Sequence, residues 1–145
     1  MTIFVSIYSC VLLTIATNFR NPHTVLLGLA TYSIVTWFRM ITMYTFTLEP
    51  PEGMIFLQDP FLTMIVYPTD FAKDLFFSGH ISAMTVIILV EPNRILKLIK
   101  VAATILVGML LLAQHVHYAL DVLLAPLFSY LVYRWVLQLQ RAAGI

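Results

Sequence analysis

His117 and Asp121 stand four residues apart in the stretch "HVHYALD", residues 115–121, so on a helix they share one face. Earlier in the chain, "KDLFFSGH" at 73–80 sets His80 directly after Ser78 and Gly79, a small-residue helix start of the kind that binds anions. Two imidazoles and a carboxylate at one depth suit phosphoryl transfer. One imidazole attacks phosphorus, the carboxylate orients it and stabilises the cation that forms, and the second imidazole protonates the leaving oxygen. Either motif alone, S-G-H or H-x-x-x-D, is a weak signal. A helix-capping pair is the plain alternative for His117 and Asp121, and a polar helix start is the alternative for His80. His115 is two residues from His117, off its helical face, and reads as structural. Zinc would need three or four ligands; Arg39 and Lys73 at the same surface argue against it, and no cofactor is called for.

The elements that must position these residues are apolar. The chain of 145 residues is 61% hydrophobic and 10% charged, against roughly 25% charged in a soluble domain. It therefore reads as one all-α membrane domain, residues 1–145. The net charge of +1 and the lack of any basic run exclude a nucleic-acid partner. Cys10 is the single cysteine and can make no internal disulfide. A bilayer crossing needs about 20 apolar residues, and five segments qualify: about 2–18, 24–44, 76–90, 95–116 and 118–138. The first lacks a basic leader segment and reads as a membrane helix. Small residues Gly28, Ala30 and Ser33 are expected to let the second helix pack closely. Trp37 and Trp135 are expected at the interfaces. Residues 48–74 carry four prolines and read as an outer loop whose apolar part, 53–67, would cover the site.

Charge placement supplies an orientation. Arg20, Arg94, Lys97, Lys100, Arg134 and Arg141, six of the eight basic residues, fall on one side of the five-helix arrangement, which is expected to be cytoplasmic. His80, His117 and Asp121 then face the extracytoplasmic side. Arg39 lies just inside the second helix, where a charge is costly and usually functional, and is assigned to phosphate.

Three blocks, "RMITMYTFTLEP" (39–50), "DLFFSGH" (74–80) and "HVHYALDVLLA" (115–125), occur in an order and at separations that resemble the sphingomyelin synthase family, within the type-2 phosphatidic acid phosphatase superfamily. The resemblance covers about residues 24–138. It implies His117 as nucleophile, Asp121 as its orienting carboxylate and His80 as general acid and then base. It implies membrane lipids as partners, with a phospho-alcohol moving from a glycerophospholipid to a ceramide-like or diacylglycerol-like acceptor. Arg39, Lys73, Asp74, Ser78, Gly79, Tyr44 and Tyr118 are then the expected substrate contacts. For a choline head group, Tyr44, Phe46, Tyr67, Phe76 and Phe77 are the aromatic candidates.

The family has six membrane helices, whereas five are counted here. A proline-rich block between its first two helices is missing, which implies a short or truncated member, such as a compact bacterial one. Relatives that hydrolyse phosphate monoesters carry an Arg six residues before the nucleophilic His, where this chain has Leu111, and a Lys-x6-Arg-Pro block not found here. Their substrates carry more charge, so the difference favours a diester. Lipid phosphate hydrolysis by the same residues is the alternative, and a non-catalytic membrane subunit is a third reading. The head group, the acceptor and the oligomeric state stay open.

Overall fold

A computed structural model describes residues 2–45 and 77–144. Among these residues five helices follow in order: α1 (Thr2–Asn18), α2 (Pro22–Thr45), α3 (Gly79–Leu89), α4 (Arg94–Ala113) and α5 (Ala119–Ala142). The chain is thus an all-α bundle, with no strand among the described residues. The expected outer loop, including 53–67, lies outside the described residues, as do Glu49, Glu52, Lys73 and Asp74.

α3 is the axis of the bundle and packs against all four other helices. Its sequence, "GHISAMTVIIL", is apolar on every side, as a helix enclosed by protein should be. It is shorter than the expected 76–90. Its 11 residues rise about 16 Å, well short of the roughly 30 Å hydrocarbon core. Local signals set both ends. Ser78 caps the start, accepting from Ile81 N–H, and Pro92 follows two residues after the C-cap at Val90. Among the described residues, α2, α4 and α5 are the helices long and apolar enough to cross a membrane, and α1, at 17 residues, is slightly shorter.

Each long helix turns one stripe inward. On α2 the buried residues are Leu27, Thr31 and Val35, four apart, so the seam differs from the expected Gly28–Ala30–Ser33 face, and Ser33 is exposed. The branched and larger side chains make the contact because they fill the space against α3 and α5. Arg39 is the next residue on that stripe. On α5 the stripe is Asp121, Ala125, Ser129, Val132 and Val136. Trp37 and Trp135 lie largely exposed on the outer surface of the bundle.

Lys100 departs from its expected place among the flanking charges. It shares the α4 seam with Val107 and Leu111, is fully buried, and forms an ion pair with the equally buried Glu91 just after α3. Glu91 also accepts from Asn93 N–H at 3.1 Å, which leads the chain into the Asn93 cap of α4. Arg134 lies within α5 beside Tyr130 and donates to its hydroxyl at 3.0 Å.

Removing one member of a buried pair strands the other charge. Lys100→Met or Glu91→Gln alone should destabilise the detergent-solubilised protein by about 3–5 kcal/mol, whereas Lys100→Met with Glu91→Leu should recover most of the loss. Unfolding curves of the three variants check this; single variants as stable as wild type would contradict it.

Candidate active site

The turn between α4 and α5 positions His117. α4 ends in a Schellman arrangement: His115 N–H donates to Leu112 O at 3.1 Å and Val116 N–H to Leu111 O at 3.2 Å. The left-handed position falls on His115, with φ 51°. Its side chain is exposed while Val116 packs onto the core, so His115 ends the helix and aims the chain. Two residues later His117 is 6% exposed. α5 then starts, with Asp121 Oδ2 accepting from Tyr118 N–H at 3.0 Å, the reach-back that satisfies a first-turn donor.

The S-G-H stretch is held from the other side. Phe77 has φ 41°, a left-handed conformation that costs a bulky residue about 1–2 kcal/mol. Its ring is buried and stacks on Phe128 of α5, with centroids 5.3 Å apart. Immediately after it, Ser78 N–H donates to the Asp121 carbonyl at 3.2 Å. That backbone bond joins the two motif blocks and brings the side chains together. The His80 and His117 rings lie 6.4 Å apart between centroids, inclined at 67°. His117 Nδ1 lies 3.9 Å from Asp121 Oδ2, longer than a hydrogen bond, and has no hydrogen-bond partner among the described residues. Asp121 therefore serves both as helix cap and as the carboxylate facing His117.

Arg39 completes the group. A Cβ on Gly79 would fall 2.5 Å from Arg39 Cζ, so the guanidinium occupies space that any other residue at 79 would fill. A cation thus lies against the first turn of α3, whose leading N–H groups point along the helix axis. α4 passes Ile81 at Gly108 and runs five residues farther to Ala113, about 7.5 Å.

Not every expected residue joins the site. Tyr44 is 87% exposed, being five residues, and so about 140° around the helix, beyond Arg39. Tyr118 is partly exposed and contributes its backbone N–H. Ser78 is fully buried, with its hydroxyl spent on capping α3. Phe77 is enclosed in the core and cannot line a head-group cage. Phe46, Tyr67 and Phe76 lie outside the described residues, as do Lys73 and Asp74. Phe4 of α1 was not expected: its ring meets His80 edge-on at 5.6 Å. Nothing in the spacing of α1 marks Phe4 apart from its neighbours.

Burial pushes the His117 imidazole down to about 4, helped by His80 and then Arg39. It is therefore neutral at pH 7, the form in which an imidazole is a nucleophile. Nδ1 is the ring nitrogen that faces Asp121; a proton held there would leave Nε2 as the nucleophilic lone pair. Among the described residues no group of three or more His, Cys, Asp or Glu is placed to hold a metal ion.

Residues 73–139 match the family model described as PAP2 superfamily C-terminal. The match spans α3, α4 and most of α5, hence His80, His117 and Asp121; Arg39 lies outside it and joins by geometry. No curated protein and no solved structure matches the chain. The match supports the type-2 phosphatidic acid phosphatase superfamily. Combined with the apolar helices, it supports an integral membrane protein acting on phosphate esters as a phosphatase or phosphotransferase.

A buried neutral histidine makes stability depend on pH. Unfolded, His117 titrates near 6.5; folded, it takes up its proton only near 4. Between these values the unfolded chain binds more protons, so stability falls as pH drops from about 6.5 to 4 and this contribution levels off below 4. Melting temperatures across that window should decline in wild type and decline less in His117→Gln; equal slopes would contradict the assignment.

Proposed function

We propose that the chain transfers a phospho-alcohol head group between membrane lipids, from a glycerophospholipid to a ceramide-like or diacylglycerol-like acceptor, at the extracytoplasmic side. The observation that carries this reading is the convergence of His80, His117, Asp121 and Arg39 at the start of α3. Arg39 and the first turn of α3 hold the phosphodiester. His117 Nε2 attacks phosphorus, and the bond from phosphorus to the glycerol oxygen breaks. That oxygen leaves as the diacylglycerol hydroxyl, taking a proton from His80. The head group now rests on His117, whose positive charge Asp121 offsets. His80, neutral, accepts the proton of the acceptor hydroxyl, whose oxygen attacks phosphorus and releases His117.

One position favours a diester over a monoester. Leu111, where monoester-hydrolysing relatives of the resembled family carry Arg, is fully buried among apolar neighbours. Arg39 is then the one guanidinium that the described residues place against α3, matched to the single negative charge of a diester. Hydrolysis by the same residues is the second reading, favoured by the name of the matched family.

Purified protein given labelled phosphatidylcholine or phosphatidylethanolamine, with and without ceramide, separates the readings. Labelled sphingolipid and diacylglycerol that appear only with ceramide are expected, and are lost in a folded His117→Ala variant. Free phospho-alcohol without an acceptor would mean hydrolysis. No turnover, unchanged by His117→Ala, would mean a non-catalytic chain. Gly79→Ala drives a methyl into the Arg39 guanidinium and should lower kcat/KM about a hundredfold, the scale of a 1 Å misplacement. Wild-type kinetics in that variant would remove Arg39 from the site.

A further inference from the structure

A cavity of about 390 Å³ runs between α1, α2 and α3, outside the catalytic cluster. This is the size of a small-molecule pocket, yet it offers almost nothing polar. Thr14 Oγ1 donates to Cys10 O at 2.7 Å, and Asn18 Nδ2 donates to Thr14 O at 3.1 Å. These polar groups are spent on their own helix, so the wall presents methyl, methylene and aromatic surface.

Its long axis follows α1 from Tyr8 to Asn18, about 15 Å. The upper end adjoins the site. Tyr8 stacks on Phe4 at 6.4 Å, and Phe4 meets His80 at 5.6 Å. Tyr32, on the opposite wall, lies two turns before Arg39 on the same side of α2. The lower end is bounded by Asn18, Gly28 and Val90. The cavity therefore starts about one helical turn beneath His80 and two beneath Arg39, and continues away from them as a narrow apolar slot.

We infer that this slot receives one hydrocarbon chain of the phosphoester lipid substrate, and that its lower end limits the length of chain accommodated. The inference rests on the reading of the site as a lipid phosphoester site and adds what selects the lipid. Surrounding bilayer is as apolar as the slot, so preference arises from fit: a chain that overruns Asn18 and Val90 must bend or displace α1.

Gly28 is the lever. A Cβ there would meet Val90 at 3.7 Å, ordinary contact, so a side chain can be added into the lower slot without a backbone clash. In the full chain in detergent, Gly28→Leu should lower the ratio of kcat/KM for long-chain over short-chain phospholipid about tenfold, on the scale by which methylenes discriminate in a pocket. Gly28→Ala should move it less, in the same direction. Leu98→Ala, on the exposed face of α4, should leave the ratio alone. Equal ratios in wild type and Gly28→Leu overturn the inference while the functional proposal stands.

A phospholipid with a photoreactive group at its chain end reads the slot without turnover. Crosslinks to Thr14, Asn18 or Val90, displaced by excess unlabelled phospholipid, are expected. Crosslinks confined to outward residues such as Leu98 and Ile105, or slot crosslinks that phospholipid does not displace, mark annular lipid and overturn it. If wild type turns over no phosphoester, the functional proposal fails, and the crosslinks still decide what occupies the slot.

Discussion

Ser78 N–H donates to the carbonyl of Asp121 in a region where both residues are buried and water is scarce. A backbone donor left unpaired there would carry its full desolvation penalty, so the start of α3 and the first turn of α5 are held in register. Phe77, strained into a left-handed conformation and stacked on Phe128, fixes the approach to that bond. The Schellman turn with His115 at its left-handed position fixes the approach from α4. With the chain path set on both sides, His80 and His117 have little choice of depth, and the distances among His80, His117 and Asp121 follow.

A second constraint is the placement of charge at the ends of apolar seams. Arg39 extends the stripe Leu27–Thr31–Val35, Asp121 opens the stripe that continues through Ala125 and Ser129, and Lys100 precedes Val107 and Leu111 on theirs. In each case a seam that packs the bundle also turns an ionisable group inward, where it must meet a partner or a ligand. Lys100 meets Glu91 and serves as a structural clamp away from the cluster of His80, His117 and Asp121. Arg39 and Asp121 are carried to the start of α3. The short central helix sets their level: α3 begins at Gly79, next to His80, within the span of the longer α4.

Much of this was legible in the residues. Apolar runs and prolines marked five helices, and the four-residue spacing of His117 and Asp121, with S-G-H upstream, pointed to the residues that the fold brings together. Positions 27, 31, 35 and 39 share one helical face, but that this face turns inward came from the packing, since Gly28, Ala30 and Ser33 were expected to make the seam. Other features depended on long-range packing. Phe4 is far from His80 in sequence and ordinary in context, and only the docking of α1 on α3 joins them. The short α3 could not be told from a spanning helix, because an apolar run reads alike whether lipid or protein surrounds it. Lys100 looked like a flanking charge until its seam placed it against Glu91, and Tyr44 looked like a contact until the helical step from Arg39 turned it outward.

The central claim is that His117 becomes covalently bonded to phosphorus. The most direct measurement is mass spectrometry of rapidly quenched wild-type protein after mixing with a phosphodiester lipid and no acceptor lipid, so that the second step lacks its nucleophile. The account predicts a phospho-alcohol adduct whose fragment ions place it on His117. An adduct on His115, or lipid turnover with His117 never modified, would contradict it.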